Sequence, residues 1–489
     1  MSDATESETT ETTTETEQYE SPVITKHQIT VRGKNVQYTA TTGMMKLESD
    51  EGKHRANIFY VAYTKDTTNE RTRPITFCFN GGPGSSSVWL HLGALGPKRI
   101  HMDDIGNPLP APYAYNDNEY TWLQWTDLVF IDPVGTGYSR TAGESKREEF
   151  HGVTEDIESV GEFIRRYTSE NLRWLSPKFL AGESYGTTRA AGLSHYMQTK
   201  HGMNISGVAL ISSVLSFQTI AHEHSAGNDL PYICFLPALA ATSWYHKQLK
   251  PAYQRSLPKL LSDTRTFAFG EYTLALMQGH ALSPAKSKNI AKTISQLTGL
   301  TEQFVELCNL RVHPMQYCKE LLRTQRITVG RLDSRFQGED ANHVTEMPEN
   351  DPSYSNILAP YTAAVYDYIR RELAYESSAT YEVLTPNVHP WKWGDADRGY
   401  VNVASDLAAA MRLNQHLHVF VANGYYDLAT PFGATEYTLN HLEVSREALK
   451  RVTTTYYQAG HMMYIHQPSL EQFTADVEKF YVTTLRKKR

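Results

Sequence analysis

Apolar runs that alternate with amphipathic helical patterns leave this chain few folds to choose from. PITFCFNGG (from Pro74) and TDLVFIDPVGTGYS (from Thr126) are nearly continuous in apolar residues, the second closing in a glycine-rich turn. TEDIESVGEFIRRYTSE then sets Ile157, Val160, Phe163, Ile164 and Tyr167 at helical spacing, with Thr154 as the expected N-cap. KFLAGESYG follows, then a helical pattern, then the strand GVALISSVLSF (from Gly207). Strand–helix alternation of this kind implies a mostly parallel sheet with helices on both faces, an α/β fold. At the N-terminal end, HQITVRGKNVQYTATTG alternates apolar and polar residues around Gly33-Lys34-Asn35 and predicts a β-hairpin, and ANIFYVAYT (from Ala56) is a further strand.

The rhythm breaks between Gln218 and Tyr400, where the pattern is helical and the loops are rich in Pro, Asp and Asn. It resumes at LHVFVANGYYDLATP (from Leu417) and closes with TTTYYQAGHMMY (from Thr453). At roughly 150 residues per domain, 489 residues make about three units, or fewer if one is a large α/β domain with an insertion. The expected organisation is a tail over 1–23, an α/β core over 24–217 and 401–489, and a mainly helical cap inserted over 218–400. In the first twenty residues thirteen are Thr or Glu, a composition that cannot bury enough apolar surface to order itself. That segment has neither a basic start nor an apolar stretch, so it is not a secretory signal as written, and a cytoplasmic location is expected.

Several function classes fall away on composition. A formal net charge of −7 gives no global attraction to polyanions, so no nucleic-acid partner is expected. No stretch approaches 18 uninterrupted apolar residues, so no membrane-spanning helix is expected. Four cysteines in a chain of this length exclude a disulfide-built scaffold. Cys308 and Cys318 are near enough in sequence to pair, but free thiols are the expectation. No Cys/His cluster has zinc spacing, and neither metal nor organic cofactor is expected.

The chemistry concentrates at Gly182-Glu183-Ser184-Tyr185-Gly186, a G-x-S-x-G placed between a strand and a helix. In that context the motif forms a tight turn that exposes a nucleophilic serine at the top of a sheet. Serine needs a base, itself oriented by a carboxylate, and in α/β hydrolases these follow in the order Ser, Asp/Glu, His. Asp427, just past Val419-Phe420-Val421-Ala422, and His461, just past the Thr-Tyr-Tyr run, satisfy that order at C-terminal strand ends. Asn80-Gly81-Gly82-Pro83-Gly84 closes an early strand and lets the backbone approach a ligand with an N–H, to pair with that of Tyr185. Gly135-Thr136-Gly137 lacks the third glycine of a dinucleotide loop and is expected to be a turn lining the site. Trp391, Trp393 and Tyr400 are candidates for the cleft wall, though core packing is the more frequent fate of such residues. Arg486-Lys487-Lys488-Arg489 reads as a solvated end.

FNGGPGSSS, LGALGP, IDPVGTGYS, GESYG, NGYYDLATP and GHMMYIHQP occur in an order that resembles the serine carboxypeptidases of the α/β-hydrolase type, the carboxypeptidase Y family. The resemblance implies an α/β-hydrolase fold with a helical cap and hydrolysis of the C-terminal peptide bond of peptides through an acyl-enzyme. It assigns Ser184, Asp427 and His461 to the triad, Gly82 and Tyr185 to the oxyanion N–H groups, and Asn80 and Glu183 to the substrate's α-carboxylate. A carboxylate facing a carboxylate requires one of them protonated, so Glu183 is expected to act as a neutral acid and binding to weaken as pH rises. The alternative for Glu183 is a helix-start carboxylate stabilised by the dipole. Family members often carry Cys where this chain has Ser85, and a Glu partner for the GESYG glutamate where it has Ala94, a loss expected to ease ionisation of Glu183. An esterase or acyltransferase with the same triad is the alternative reaction. Peptides with a free C-terminus are the expected partners, and oligomeric state is left open.

Overall fold

The structure, a computed structural model, describes residues 21–221, 227–394 and 399–486. All but the last three residues of the expected tail, and residues 487–489 of the basic end, lie outside the described residues. Three antiparallel strands open the chain: β1 (Val23–Val31), β2 (Lys34–Glu48) and β3 (His54–Lys65). Val23, expected in the tail, already pairs with Thr42. The first hairpin turns on Arg32 and Gly33, both at positive φ (46° and 74°), one residue earlier than the sequence pattern suggests. Two left-handed residues make the tight turn whose twist matches that of the strands.

Six parallel strands follow: β4 (Ile75–Phe79), β5 (Asp127–Ile131), β6 (Lys178–Ser184), β7 (Gly207–Ser213), β8 (His418–Gly424) and β9 (Val452–Tyr457). The sheet order is β1-β2-β3-β5-β4-β6-β7-β8-β9, with the two-residue strand Arg140–Thr141 beside β3. β3 meets β5 antiparallel, and every pairing beyond β5 is parallel. From the end of β4 the chain crosses towards β5, whereas from β6 it crosses towards β7. That reversal opens a crevice between the C-terminal ends of β4 and β6, the place where open α/β sheets bind ligands.

Period-two alternation divides the parallel strands between two cores. Phe77, Leu180, Leu210 and Val421 pack with Phe163, Leu193 and Leu407 of helices α1 (Val153–Glu170), α2 (Tyr185–His201) and α7 (Ala404–Leu413) on one face. On the other, Phe179, Ile211 and Phe420 pack with Tyr361, Tyr368, Phe473 and Phe480 of α6 (Pro352–Arg371) and α9 (Gln467–Leu485). Each such side chain contributes roughly 1.5–3 kcal/mol of burial before ordering costs. Because both faces are covered, these strands read as unbroken apolar runs. α1 begins one residue before the expected N-cap. Gly152 occupies the cap, and the Val153 N–H is satisfied by the Lys392 carbonyl at 2.9 Å, so Thr154 is inside the helix.

The interrupting stretch supplies α3 (Leu230–Tyr245), α4 (Leu257–Phe267) and α5 (Pro284–Thr298), whose Leu236, Leu239, Leu260 and Ile294 form a third core. That core also takes in Tyr426, Leu428 and Phe432 from the segment joining β8 to α8 (Phe432–Asn440). α6 belongs to the same stretch but packs on the sheet. Cys308 and Cys318 are unpaired thiols.

Candidate active site

Ser184 ends β6 and α2 starts at the next residue, with Ser184 held at φ 59°, ψ −130°. A residue with a Cβ reaches that region only under strain, of order 1–3 kcal/mol. The flanking glycines are required by contact. A Cβ on Gly182 would lie 2.1 Å from the Gly186 carbonyl oxygen, and one on Gly186 would lie 2.7 Å from the Phe79 carbonyl oxygen. The glycine loop after β4 packs equally closely, since a Cβ on Gly81 would stand 2.4 Å from the Tyr185 nitrogen. Tyr185 is the first residue of α2, so its N–H has no intrahelical carbonyl to bond. Gly82, at φ 99°, lines the same cavity as Tyr185 and Ser184.

His461 lies just beyond β9, and its Nδ1 is 2.7 Å from Asp427 Oδ2. Asp427 is fully buried. Its Oδ1 accepts the N–H groups of Ala429 and Thr430 at 2.8 and 2.9 Å, and its Oδ2 accepts the Thr430 hydroxyl at 2.8 Å. With Nδ1 committed to the carboxylate, Nε2 is the nitrogen left for the serine. Burial opposes a charge on the ring, yet the Asp427 carboxylate bonded to it, with Glu183 adding to the field, holds its pKa above the usual imidazole value.

Asn80 and Glu183 are both buried and joined, Asn80 Nδ2 donating to Glu183 Oε1 at 2.9 Å. Asn80 Oδ1 in turn accepts the Leu90 N–H at 3.0 Å, which fixes the amide's orientation. Glu183 Oε2 is buried without a hydrogen-bond partner. Burial, against the pull of His461 and the nearby Tyr464 phenol, pushes the Glu183 carboxyl up to about 7. The carboxyl is therefore harder to ionise than usual although Ala94 supplies no partner carboxyl, because desolvation outweighs the field of His461.

These residues meet at a cavity of about 500 Å³ lined by Asn80, Gly82, Glu183, Ser184, Tyr185 and His461 among others. Asp427 sits behind the imidazole. One expectation needs correction. The Gly135–Gly137 turn is not in the cavity wall; Gly137 packs on Asp132 and bonds Glu382 through its N–H at 2.9 Å. Trp391 and Trp393 are outside the cavity wall and pack in a small core with Val153, Tyr185 and Val388. They pack edge-on against the Tyr185 ring, at 5.4 and 6.2 Å between centroids, and so buttress the turn at Ser184 from behind. Tyr400 is likewise absent from the wall.

Other residues hold the site and carry no motif. The His461 N–H donates to the Leu332 carbonyl at 2.7 Å, and the Gly460 N–H to Asp333 Oδ2 at 2.9 Å. Asp333 is itself locked by a buried fork with Arg335, 2.6 Å at the shortest. Ser212, at φ 50° in the bulge that ends β7, donates through Oγ to the His461 carbonyl at 2.6 Å. Arg189 of α2 reaches the Asn80 carbonyl (2.7 Å) and Asp156 of α1 (2.8 Å), all three residues being buried. Ser87 N–H donates to Asp132 Oδ1 at 2.8 Å, which ties the FNGGPGSSS and IDPVGTGYS blocks together.

A vitellogenic carboxypeptidase from Aedes aegypti is 32% identical over 170 residues, covering 33% of this chain and 32% of the relative. Serine carboxypeptidase-like 45 from Arabidopsis thaliana is 29% identical over 178 residues, covering 35% and 36%. These matches thus span about a third of each relative's length. A prohormone-processing carboxypeptidase from Saccharomyces cerevisiae shares the fold with a TM-score of 0.57 at 16% identity, over 91% of both chains. The serine carboxypeptidase family profile matches residues 32–477. A strained serine, a buried Asp–His pair and a glycine loop, met within a profile match over most of the sequence, place this chain in the serine carboxypeptidase family.

Proposed function

We propose that the protein hydrolyses the last peptide bond of peptides with a free C-terminus by acyl transfer through Ser184. His461 Nε2 takes the hydroxyl proton as Ser184 Oγ attacks the scissile carbonyl carbon. Asp427 holds the imidazole in the tautomer that presents Nε2 and stabilises the imidazolium that forms. The developing oxyanion is received by the N–H groups of Gly82 and Tyr185, and collapse expels the terminal amino acid, whose nitrogen takes the proton from His461. Water then attacks the acyl-enzyme by the same relay, and proton and serine are restored.

The observation that carries this reading is the buried Glu183 carboxyl beside the nucleophile, bonded to Asn80 and with one oxygen unpartnered. Such a pair suits a substrate carboxylate, to which Asn80 and a protonated Glu183 can donate. The test compares one blocked dipeptide as free acid, amide and ester. A clear preference for the free acid, abolished with Ser184→Ala by about 10⁴–10⁶ in kcat, supports the proposal. Equal cleavage of acid and amide would instead assign the triad to an esterase or acyltransferase.

A further inference from the structure

Arg331 stands in the cavity wall facing the triad from the inserted stretch. Its backbone is fixed at both ends. The Arg331 N–H donates to Asp351 Oδ1 at 3.0 Å, and its carbonyl accepts the Leu428 N–H at 3.0 Å. Its side chain is exposed, and its guanidinium has neither ion pair nor hydrogen bond among the described residues. Asp351, another carboxylate in that wall, makes no ion pair with the guanidinium. The Asp351 oxygens are taken by the N–H groups of Arg331, Leu332 and Ser353 and by the Ser353 hydroxyl, and it caps α6. The cation is close enough to His461 for its field to act against protonation of the ring.

The position of Arg331 assigns it a side of the substrate. A second cavity of about 210 Å³ adjoins the first and shares Phe217, Ile220, Arg331 and Ala429 with it, but none of Asn80, Glu183 or Trp89. With the terminal carboxylate on Asn80 and Glu183 and the scissile carbonyl at Ser184, the rest of the peptide runs away from Asn80, towards this annex. Phe235, Pro314, Met315 and Leu428 make the annex wall largely apolar. An entering side chain there meets these apolar walls, His313, and a guanidinium that is unpaired among the described residues and whose fork matches a carboxylate.

We propose that Arg331 makes this a carboxypeptidase selective for peptides with an acidic residue, Asp or Glu, on the acyl side of the scissile bond. This rests on the carboxypeptidase reading above, which supplies the peptide's direction. The test uses the full chain and blocked free-acid tripeptides identical except for Glu, Gln or Lys at the penultimate or the preceding position. Glu is expected to exceed Gln by about five- to tenfold in kcat/KM at one of the two positions, mostly through KM, with Lys poorest. Arg331→Gln brings the Glu:Gln ratio to near one, Arg331→Lys keeps part of it, and Arg331→Glu turns the preference towards Lys. The same ranking is expected in the Kd of the Ser184→Ala protein for these peptides, which reads selectivity without turnover. Hydrolysis at equal rates for Glu, Gln and Lys, or a Glu preference that survives Arg331→Gln, overturns the proposal. Failure to hydrolyse any free-acid peptide, with esters still cleaved, overturns the carboxypeptidase reading instead.

Discussion

The backbone of Ser184 is held where glycine is at home and serine is not (φ 59°, ψ −130°), and the proposed mechanism uses that conformation. Replacing it separates stability from chemistry. Ser184→Gly is expected to raise the unfolding free energy by about 1 kcal/mol, the strain released less the extra entropy of a glycine in the unfolded chain. Ser184→Ala keeps the Cβ and is expected to be neutral, so urea unfolding of the two variants, both inactive, measures the strain. Glu183 gives the residue-scale pH dependence. Its carboxyl must be protonated to accept a substrate carboxylate and, pushed up to about 7, stays so at lower pH. His461 must be unprotonated to act, and its pKa is raised. For free-acid peptides kcat/KM is therefore expected to rise as the imidazole loses its proton and to fall as pH passes about 7, the value of Glu183. Glu183→Gln, neutral at every pH, is expected to remove the falling limb only, and ester substrates should lack it in the parent enzyme. Persistence of that limb in Glu183→Gln would falsify the assignment. Ser184, Asp427, His461 and Glu183 were legible because each sits in a short motif at a strand end. Ser212 was not, since its partner is the His461 carbonyl 249 residues away and no local pattern marks a residue for such a bond.

Elements are joined at the site by buried charges. Arg189 links α2 to α1 through Asp156 and to the glycine loop through the Asn80 carbonyl. Burial holds the Asp156 carboxyl above its usual range even with the guanidinium beside it, so removing the cation leaves a strongly disfavoured group. Arg189→Met is expected to cost about 3–5 kcal/mol in urea unfolding, with Asp156→Asn in the same chain recovering part of it. Asp333 plays the corresponding part for the histidine turn. Asp333→Asn is expected to lower kcat by about 10–100-fold with little change in KM, because ångström-scale misplacement of a catalytic group carries costs of that size. A steady-state assay with a peptide ester reads this apart from terminal-carboxylate binding. The sequence pattern located the helices of both regions but not these struts: an Arg in a helix and an Asp in a loop look solvated until the partner strand ends are brought together.

Across the whole molecule the sheet was the most legible part, because strands buried on both faces leave unbroken apolar runs and helices between them leave 3.6-residue spacing. Less legible was how the inserted stretch divides. α6 carries the same amphipathic pattern as α3–α5, yet Tyr361 and Tyr368 serve the sheet while Leu236 and Leu260 serve a separate core. Periodicity reports that a face is buried and not against what. The separate core is completed by Tyr426, Leu428 and Phe432, so sheet and insertion cannot part without exposing shared apolar surface. A single calorimetric unfolding transition is expected, and two well-resolved peaks would show the halves to be independent.

Leu332 and Asp333, which hold the His461 turn, belong to the stretch that interrupts the sheet rhythm. His461, the base of the proposed mechanism, is thus suspended from the inserted stretch. Evolution or an engineer wishing to retune selectivity by transplanting that stretch from a relative must carry over a strut of the right reach, or the graft will bind new peptides without cutting them.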